Sequence, residues 1–344
     1  MRAGRSMAQT RGRGRRALVR IAVLLTTPIL NLVATKPIAI GVWWLSERAN
    51  CMHFEGRRAL RRLARRAARE GRPVIFATNH VSMFDDPVVP MALYRTGSRS
   101  ALELLVLGAL VALWWALPET AGWPAAGGAV VAAWATGIAL LGARKTWWSL
   151  GDLVNFSGAT ALRARLESGR ERPFSSRRLA LLALADPAIY FFMRSGVVRT
   201  VFVDRRAGEE AKHARTRAVE ETVEIAARPE PIWIFFEGGR AEVPGAIGPA
   251  RRGLGDVVLA LRARGLDPLV VAVHHRGLER VIPRDSRRWI ATGHRLDVAW
   301  AECGADLTAN AGPDEGDPQV VANRVRARVA ELAPVKLRGG DGSA

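Results

Sequence analysis

His80 lies five residues before Asp85, directly after a short apolar run. A histidine accepts a proton near neutral pH, and a nearby carboxylate can orient its ring and stabilise its charged form. The spacing therefore predicts a base–carboxylate pair of the kind that acyltransferases and hydrolases use. One alternative is a structural histidine at a strand end, with Asp85 or Asp86 capping a helix before Pro87. Asp86 in place of Asp85 as the histidine's partner is a second alternative.

Two later apolar runs are also followed by residues that could bind an anion. Arg205 follows one of them and can grip a phosphate through paired hydrogen bonds, with a surface ion pair as the alternative. Glu237, Gly238 and Arg240 follow the other. Glycine there lets backbone N–H groups approach an anion or a developing oxyanion, although an ordinary turn at a strand end has the same composition.

Adjacent histidines, His274 and His275, raise the question of a metal ion. They follow the apolar run Leu269–Val273, and neighbouring residues of a strand face opposite sides of a sheet. We therefore expect no metal. The two cysteines, Cys51 and Cys303, are far apart, which argues against a disulfide framework and against a zinc knuckle.

Strand-like runs alternate with helical stretches over much of the chain, which predicts an α/β domain. The predicted strands are Pro73–Ala77, Val197–Val203, Ile232–Phe236 and Leu269–Val273. The predicted helices in the same region are Glu209–Ala227, Gly255–Arg264 and Pro318–Leu332. All four groups of polar residues described above thus lie at or beside predicted strand ends.

The chain is strongly basic, with a formal net charge of +19 over 344 residues. Such a surface attracts nucleic acid, anionic lipid or phosphorylated substrates, and charge alone does not choose among them. The stretch Glu55–Glu70 is a strong helix former with an apolar stripe and many arginines. It is either a solvated surface helix or a helix lying on anionic headgroups.

Two regions are apolar enough to suggest a membrane. Residues 18–45 are interrupted by prolines and flanked by basic residues, which favours short helices that enter the bilayer and return. The runs Ala101–Leu117 and Ala125–Leu141 predict a hairpin whose two ends lie on the cytoplasmic side. A buried helical hairpin of a soluble protein is the alternative.

Taken in order, the four groups resemble the glycerolipid acyltransferases, the family of lysophosphatidic acid acyltransferases and tafazzin. That family carries a His-x4-Asp block, a block ending in Asp-Arg, a Phe-Pro-Glu-Gly-Thr-Arg block and then an apolar strand. The segments that look most like tafazzin are Asn79–Pro87, Arg251–Gly255 and Val273–Pro283, whereas Val203–Arg205 is closer to the lysophosphatidic acid enzymes. Phe236 stands where the family usually has proline, and Gly239 where it has threonine or lysine, which leaves the shape of that turn open.

The resemblance implies an α/β fold with a glycerolipid acyltransferase-like mixed sheet flanked by helices. It also implies that His80 acts as general base on a glycerol hydroxyl of a lysophospholipid such as 1-acylglycerol-3-phosphate, with Asp85 as its partner. Acyl-CoA is the expected donor, and no bound cofactor is expected. A tafazzin-like transacylase that needs no CoA is the alternative. The residues expected to bind the acceptor are Asn79, Arg205, Glu237, Gly238 and Arg240.

The predicted organisation is a disordered basic arm (1–17), membrane-associated helices (18–72), an acyltransferase domain (73–335) with an inserted hairpin (101–142), and a disordered tail (336–344). We expect a membrane protein whose active site lies on the cytoplasmic face, next to an anionic membrane surface. No nucleic acid is expected as a partner. A non-catalytic basic protein of the membrane surface or of nucleic acid is the alternative from another class.

Overall fold

The computed structural model describes residues 36–82, 85–116, 123–142, 148–152, 200–203, 209–228, 230–240, 243, 245–281, 291–304, 307 and 316–333. The predicted arm, the tail and residues 18–35 of the predicted membrane-associated helices lie outside these ranges. So do Arg205 and the predicted strand residues 197–199.

Within the described ranges, seven strands form one mixed sheet. The strands are β1 (Cys51–Phe54), β2 (Val74–Thr78), β3 (Trp148–Asp152), β4 (Thr200–Val203), β5 (Ile232–Phe235), β6 (Leu269–Arg276) and β7 (Arg295–Cys303). Their order across the sheet is β1-β7-β6-β2-β5-β3-β4. The β6–β7 pair is antiparallel and the other neighbours are parallel.

Helices account for most of the remaining described chain. They are α1 (Lys36–Trp43), α2 (Arg57–Arg69), α3 (Asp85–Tyr94), α4 (Thr96–Ala116), α5 (Trp123–Gly142), α6 (Glu209–Ala226), α7 (Gly253–Ala263), α8 (Leu278–Val281) and α9 (Pro318–Glu331). A single π-helical stretch, Trp44–Arg48, continues α1. The predicted mixed sheet flanked by helices is therefore confirmed at this level.

The central strands β2, β5 and β6 are mostly apolar because both faces of the sheet are covered. Phe76 packs into one core with helices α2 and α3, whereas its neighbours Ile75 and Ala77 pack into a second core with α6, α7 and α9. This alternation is the period-two geometry of a strand. Burial on both faces explains the continuous apolar runs 74–77, 232–235 and 269–273 within these strands.

The apolar hairpin is made of α4 and α5. The first turns of α4 pack on α1 so closely that a Cβ on Gly97 would clash with the carbonyl oxygen of Ala39. Lys36 of α1 is buried and forms an ion pair with Glu103, which also accepts from Arg99 Nε at 2.9 Å. Beyond Glu103, α4 carries exposed apolar side chains, with Trp115 85% exposed.

Among the described helices, Thr96–Ala116 is the one whose length and composition would let it cross a membrane. Its apolar window has a mean hydropathy of 1.5, and 6% of the window is buried. The apolar part of α5, Ala126–Gly137, is shorter. The division of the chain into membrane and enzymatic segments therefore stays a prediction.

Candidate active site

The candidate site lies where three neighbouring parallel strands end. Strand β2 is flanked by β6 on one side and by β5 on the other. Parallel strands present their carboxyl ends at one edge of the sheet, which is where ligands bind in open α/β sheets. This edge carries Asn79 and His80 after β2, Glu237 after β5 and His275 near the end of β6.

His80 and Asp85 are in direct contact. Nδ1 of His80 lies 3.0 Å from Oδ2 of Asp85, whose side chain is fully buried, while that of His80 is 22% exposed. The same carboxylate oxygen accepts from the main-chain N–H groups of Val81 at 2.6 Å and Ser82 at 2.8 Å. Because a carboxylate held in this way acts as an acceptor, Nδ1 carries the hydrogen and the lone pair of the ring lies on Nε2.

The outer nitrogen of His80 is the group that can do chemistry. No hydrogen bond joins His80 Nε2 to another residue of the described ranges, and the ring is partly exposed. The ring stacks on Phe235, the last residue of β5, with centroids 4.4 Å apart and planes at 30°. The imidazole is thus fixed by Asp85 at one nitrogen and by Phe235 on one face, and Nε2 is available as a proton acceptor.

Asn79 is placed in the scaffold beneath the site. Its side chain donates to the main-chain oxygen of His275 at 2.9 Å and accepts from the main-chain N–H of His275 at 3.0 Å. The residue is fully buried. The sequence predicts Asn79 as a substrate-binding residue, but both polar atoms of its carboxamide are engaged, so they are not offered to a substrate.

Glu237 joins the β5 end to two loops. Its Oε2 accepts from the main-chain N–H of His80 at 3.2 Å, and its Oε1 accepts from the N–H of Gly248 at 2.9 Å. Burial raises the pKa of Glu237 to about 7, although the two backbone hydrogen bonds and His80 act in the opposite direction. Glu237 therefore holds the backbone of the candidate base, and it changes charge near neutral pH.

Gly238 continues the chain in a left-handed turn, with φ of +68°. A Cβ at this position would lie 3.0 Å from Cγ of Arg251, so that arginine covers the turn closely. Arg240 is half-buried just after the turn. The structure thus brings His80, Asp85 and Glu237 into one network with Gly238 beside it, whereas Arg205 lies outside the described residues.

Known proteins offer little that decides the function. No family model matches the chain, and no curated protein matches it. Among solved structures, the chain is similar to the 1-acyl-sn-glycerophosphate (LPA) acyltransferase PlsC from Thermotoga maritima, over 93% of this chain and 97% of that chain. The sequences are 12% identical and the TM-score is 0.33. A likeness at this level carries no functional argument. The function therefore has to be argued from the geometry of the site.

Sequence reasoning considered His275 only as a metal ligand and missed its place in the site. Its Nε2 lies 2.9 Å from the carbonyl oxygen of Asn79 and 3.7 Å from Oδ2 of Asp85. Within the described part of the chain, no group of three or more metal-binding side chains occurs. The signal that could have found His275 was the position of the His274-His275 pair at the end of an apolar run, on the strand next to β2.

Gly248 was also missed, because its N–H reaches Glu237 from a segment with no apolar pattern.

Proposed function

We propose that this protein is an O-acyltransferase that transfers a fatty acyl group to a glycerol hydroxyl of a lysophospholipid. The observation that carries the proposal is the His80 Nδ1–Asp85 Oδ2 contact of 3.0 Å at the carboxyl ends of parallel strands. A base with a paired inner nitrogen and an available outer nitrogen is what activation of a hydroxyl requires. The resemblance of the ordered sequence segments to glycerolipid acyltransferases supports the choice of acyl transfer.

The proposed reaction needs no covalent enzyme intermediate. Nε2 of His80 takes the proton of the acceptor hydroxyl as its oxygen attacks the carbonyl carbon of an acyl thioester. The tetrahedral intermediate collapses, the C–S bond breaks, and the departing sulfur receives the proton from the imidazolium. Asp85 stabilises the imidazolium between these two steps, as a carboxylate does beside a catalytic histidine.

The acceptor's phosphate would be bound by arginines. Arg240 follows the Gly238 turn, and we propose that it and Arg205 hold the phosphate of 1-acylglycerol-3-phosphate or a related lysophospholipid. Glu237 would act on the reaction indirectly, because its bond to the His80 N–H fixes the backbone of the base. Gly238 gives the turn the conformation that places Arg240 there.

We further propose that the site works at an anionic membrane surface on the cytoplasmic side. Arg58, Arg62, Arg65 and Arg69 follow one face of α2 and are all exposed. None of the four is ion-paired with a carboxylate of the described residues. Burial, and after it the neighbouring arginines, lower the pKa of Arg61. Exposed apolar side chains on α4 and α5 would add insertion into the bilayer.

The donor is tested with purified protein, radiolabelled acyl-CoA and a panel of lysophospholipids, with and without free CoA. We expect labelled phospholipid to form from acyl-CoA. Transfer of label from a phospholipid to a lysophospholipid in the absence of CoA would identify a tafazzin-like transacylase instead. No transfer from either donor would overturn the proposed activity.

A further inference from the structure

His275 is a buried histidine that the proposed reaction does not use. Its side chain is 1% exposed and lies beneath the His80–Asp85 pair. Its main-chain N–H and carbonyl are both bound by the Asn79 side chain, as described above. The residue before it in the chain, His274, is equally buried but faces the other core of the sheet, since adjacent strand residues point to opposite sides.

The hydrogen on the His275 ring can be located from its partner. Nε2 lies 2.9 Å from the carbonyl oxygen of Asn79, which can only accept a hydrogen bond. Nε2 therefore carries a hydrogen, and the same N–H edge faces Oδ2 of Asp85 at 3.7 Å. Nδ1 is buried with no hydrogen-bond partner among the described residues. The donor edge of the ring thus points at the residue just before His80 and at the partner of His80.

We propose that His275 is a positioning residue for the His80–Asp85 pair, acting through Asn79 and Asp85 rather than on the substrate. Its Nε2–H fixes the carbonyl of Asn79, which directly precedes His80 in the chain. The positive edge of its N–H dipole also faces the buried carboxylate oxygen that holds Nδ1 of His80. The inference rests on the proposed acyl transfer, because it assigns His275 a part in that same reaction.

Two substitutions separate the donor from the shape of the ring. His275→Leu fills the buried site with an apolar side chain of similar size and removes the N–H donor. His275→Gln places an amide N–H near the position of Nε2 and restores the donor. His274→Leu is the matched control, because it removes a buried histidine from the same strand on the opposite face. Burial lowers the pKa of His274 to about 4, with His275 and Arg276 adding to the effect, so the control removes a neutral ring at pH 7.

The test measures kcat and KM for acyl transfer as a function of pH, together with the folded fraction of each variant. We expect His275→Leu to lower kcat by about tenfold or more with KM changed by less than about threefold. The acid limb of its kcat/KM profile should move to higher pH, because Asp85 without the facing N–H holds the imidazolium of His80 more strongly. His275→Gln should recover most of kcat, and His274→Leu should keep the wild-type pH profile.

Three results would overturn the inference. The first is wild-type kcat and an unmoved acid limb in His275→Leu. The second is a loss of activity that only follows the folded fraction. The third is the same shift of the acid limb in the His274→Leu control. If the wild-type protein transfers no acyl group, the proposed function fails instead, so the two failures are distinguishable.

Discussion

Asn79 and His275 are 196 positions apart in the chain, yet the carboxamide of Asn79 makes two hydrogen bonds to the main chain of His275, at 2.9 and 3.0 Å. The last ladder pair between β2 and β6 is Thr78 with Val273. The Asn79 side chain therefore continues the pairing of the two strands past the end of the ladder. These two hydrogen bonds fix the position of the next residue in the chain, His80.

Asn79→Ala should lower the free energy of unfolding by about 2–4 kcal/mol, because two buried main-chain groups of His275 lose their partners. Chemical denaturation measures this change. Asn79→Asp is the companion variant: it keeps the acceptor for the His275 N–H but sets a buried carboxylate oxygen against the His275 carbonyl, so it should be at least as destabilising at pH 7. Unchanged stability in Asn79→Ala together with a large rise in KM would return Asn79 to the substrate-binding role predicted from the sequence.

Asp85→Asn should lower kcat by about a hundredfold or more, because the amide cannot stabilise the imidazolium of His80 as a carboxylate does. Asp86→Asn removes the same charge one residue later and should leave kcat within about threefold of the wild type. Steady-state acyl transfer with both variants decides between the two aspartates. A larger loss in Asp86→Asn than in Asp85→Asn would contradict the assignment of Asp85.

Gly238→Ala should destabilise the protein by about 1–2 kcal/mol, because its left-handed conformation disfavours a side chain. The added Cβ would also press on the Arg251 side chain at 3.0 Å. Gly248→Ala is the matched control in the neighbouring loop, where a Cβ would make an ordinary contact 3.4 Å from Glu237 Cδ. Thermal unfolding of both variants is the measurement, and equal effects would argue against a strained turn at Gly238.

The burial of Glu237 predicts a pH-dependent stability. The ordinary pKa of this group is 4.5 and in the folded protein it is about 7. Between these values the native state keeps a proton that the unfolded chain has lost. The contribution of Glu237 to the free energy of unfolding therefore decreases as pH rises from 4.5 to about 7, and is constant above that.

The Glu237→Gln variant isolates this contribution, since it cannot titrate. The free energy of unfolding of the wild type minus that of the variant should decline across the same pH window. Urea denaturation at several pH values measures the difference. A difference that rises with pH in this window would mean that Glu237 is a stabilised carboxylate rather than a buried acid.

The arginines of α2 predict a preference for anionic vesicles. The double variant Arg62→Gln/Arg65→Gln should weaken binding to phosphatidylserine-containing vesicles by about thirtyfold, because each arginine contributes about 1 kcal/mol near such a surface. Lys212→Gln/Arg217→Gln removes the same charge from α6, which packs on the other face of the sheet. Flotation of both variants is the measurement. Equal weakening would indicate a general charge effect and no docking face on α2.

Strands β2, β5 and β6 could be predicted to within a few residues because they are buried on both faces and read as apolar runs. Strand β6 extends to Arg276, three residues beyond the prediction, where polar residues continue the antiparallel pairing with β7. Strand β7 has a weaker sequence pattern, since only Leu296, Val298 and Cys303 of its nine residues are buried. Strands β1 and β3 are only four and five residues long, and their pairing depends on partners distant in sequence.

The contact between His80 and Asp85 could be predicted because it is local. The contacts of Glu237 and His275 beside it depend on strand order, which places β5 and β6 on either side of β2, so the residues alone could not predict them and only the family resemblance put Glu237 in this site. The same dependence explains Asn79. Asparagine is a residue type that can bind a polar substrate. Only the position of β6 shows that its side chain is hydrogen-bonded to the main chain of His275.

The central claim is that His80 is the base for acyl transfer. The most direct measurement is the rate of phospholipid formation from radiolabelled acyl-CoA and lysophospholipid by the wild type and by His80→Ala, with vesicle binding measured in parallel. We predict that His80→Ala binds vesicles like the wild type and forms no product above the uncatalysed rate. Full turnover by His80→Ala would contradict the assignment.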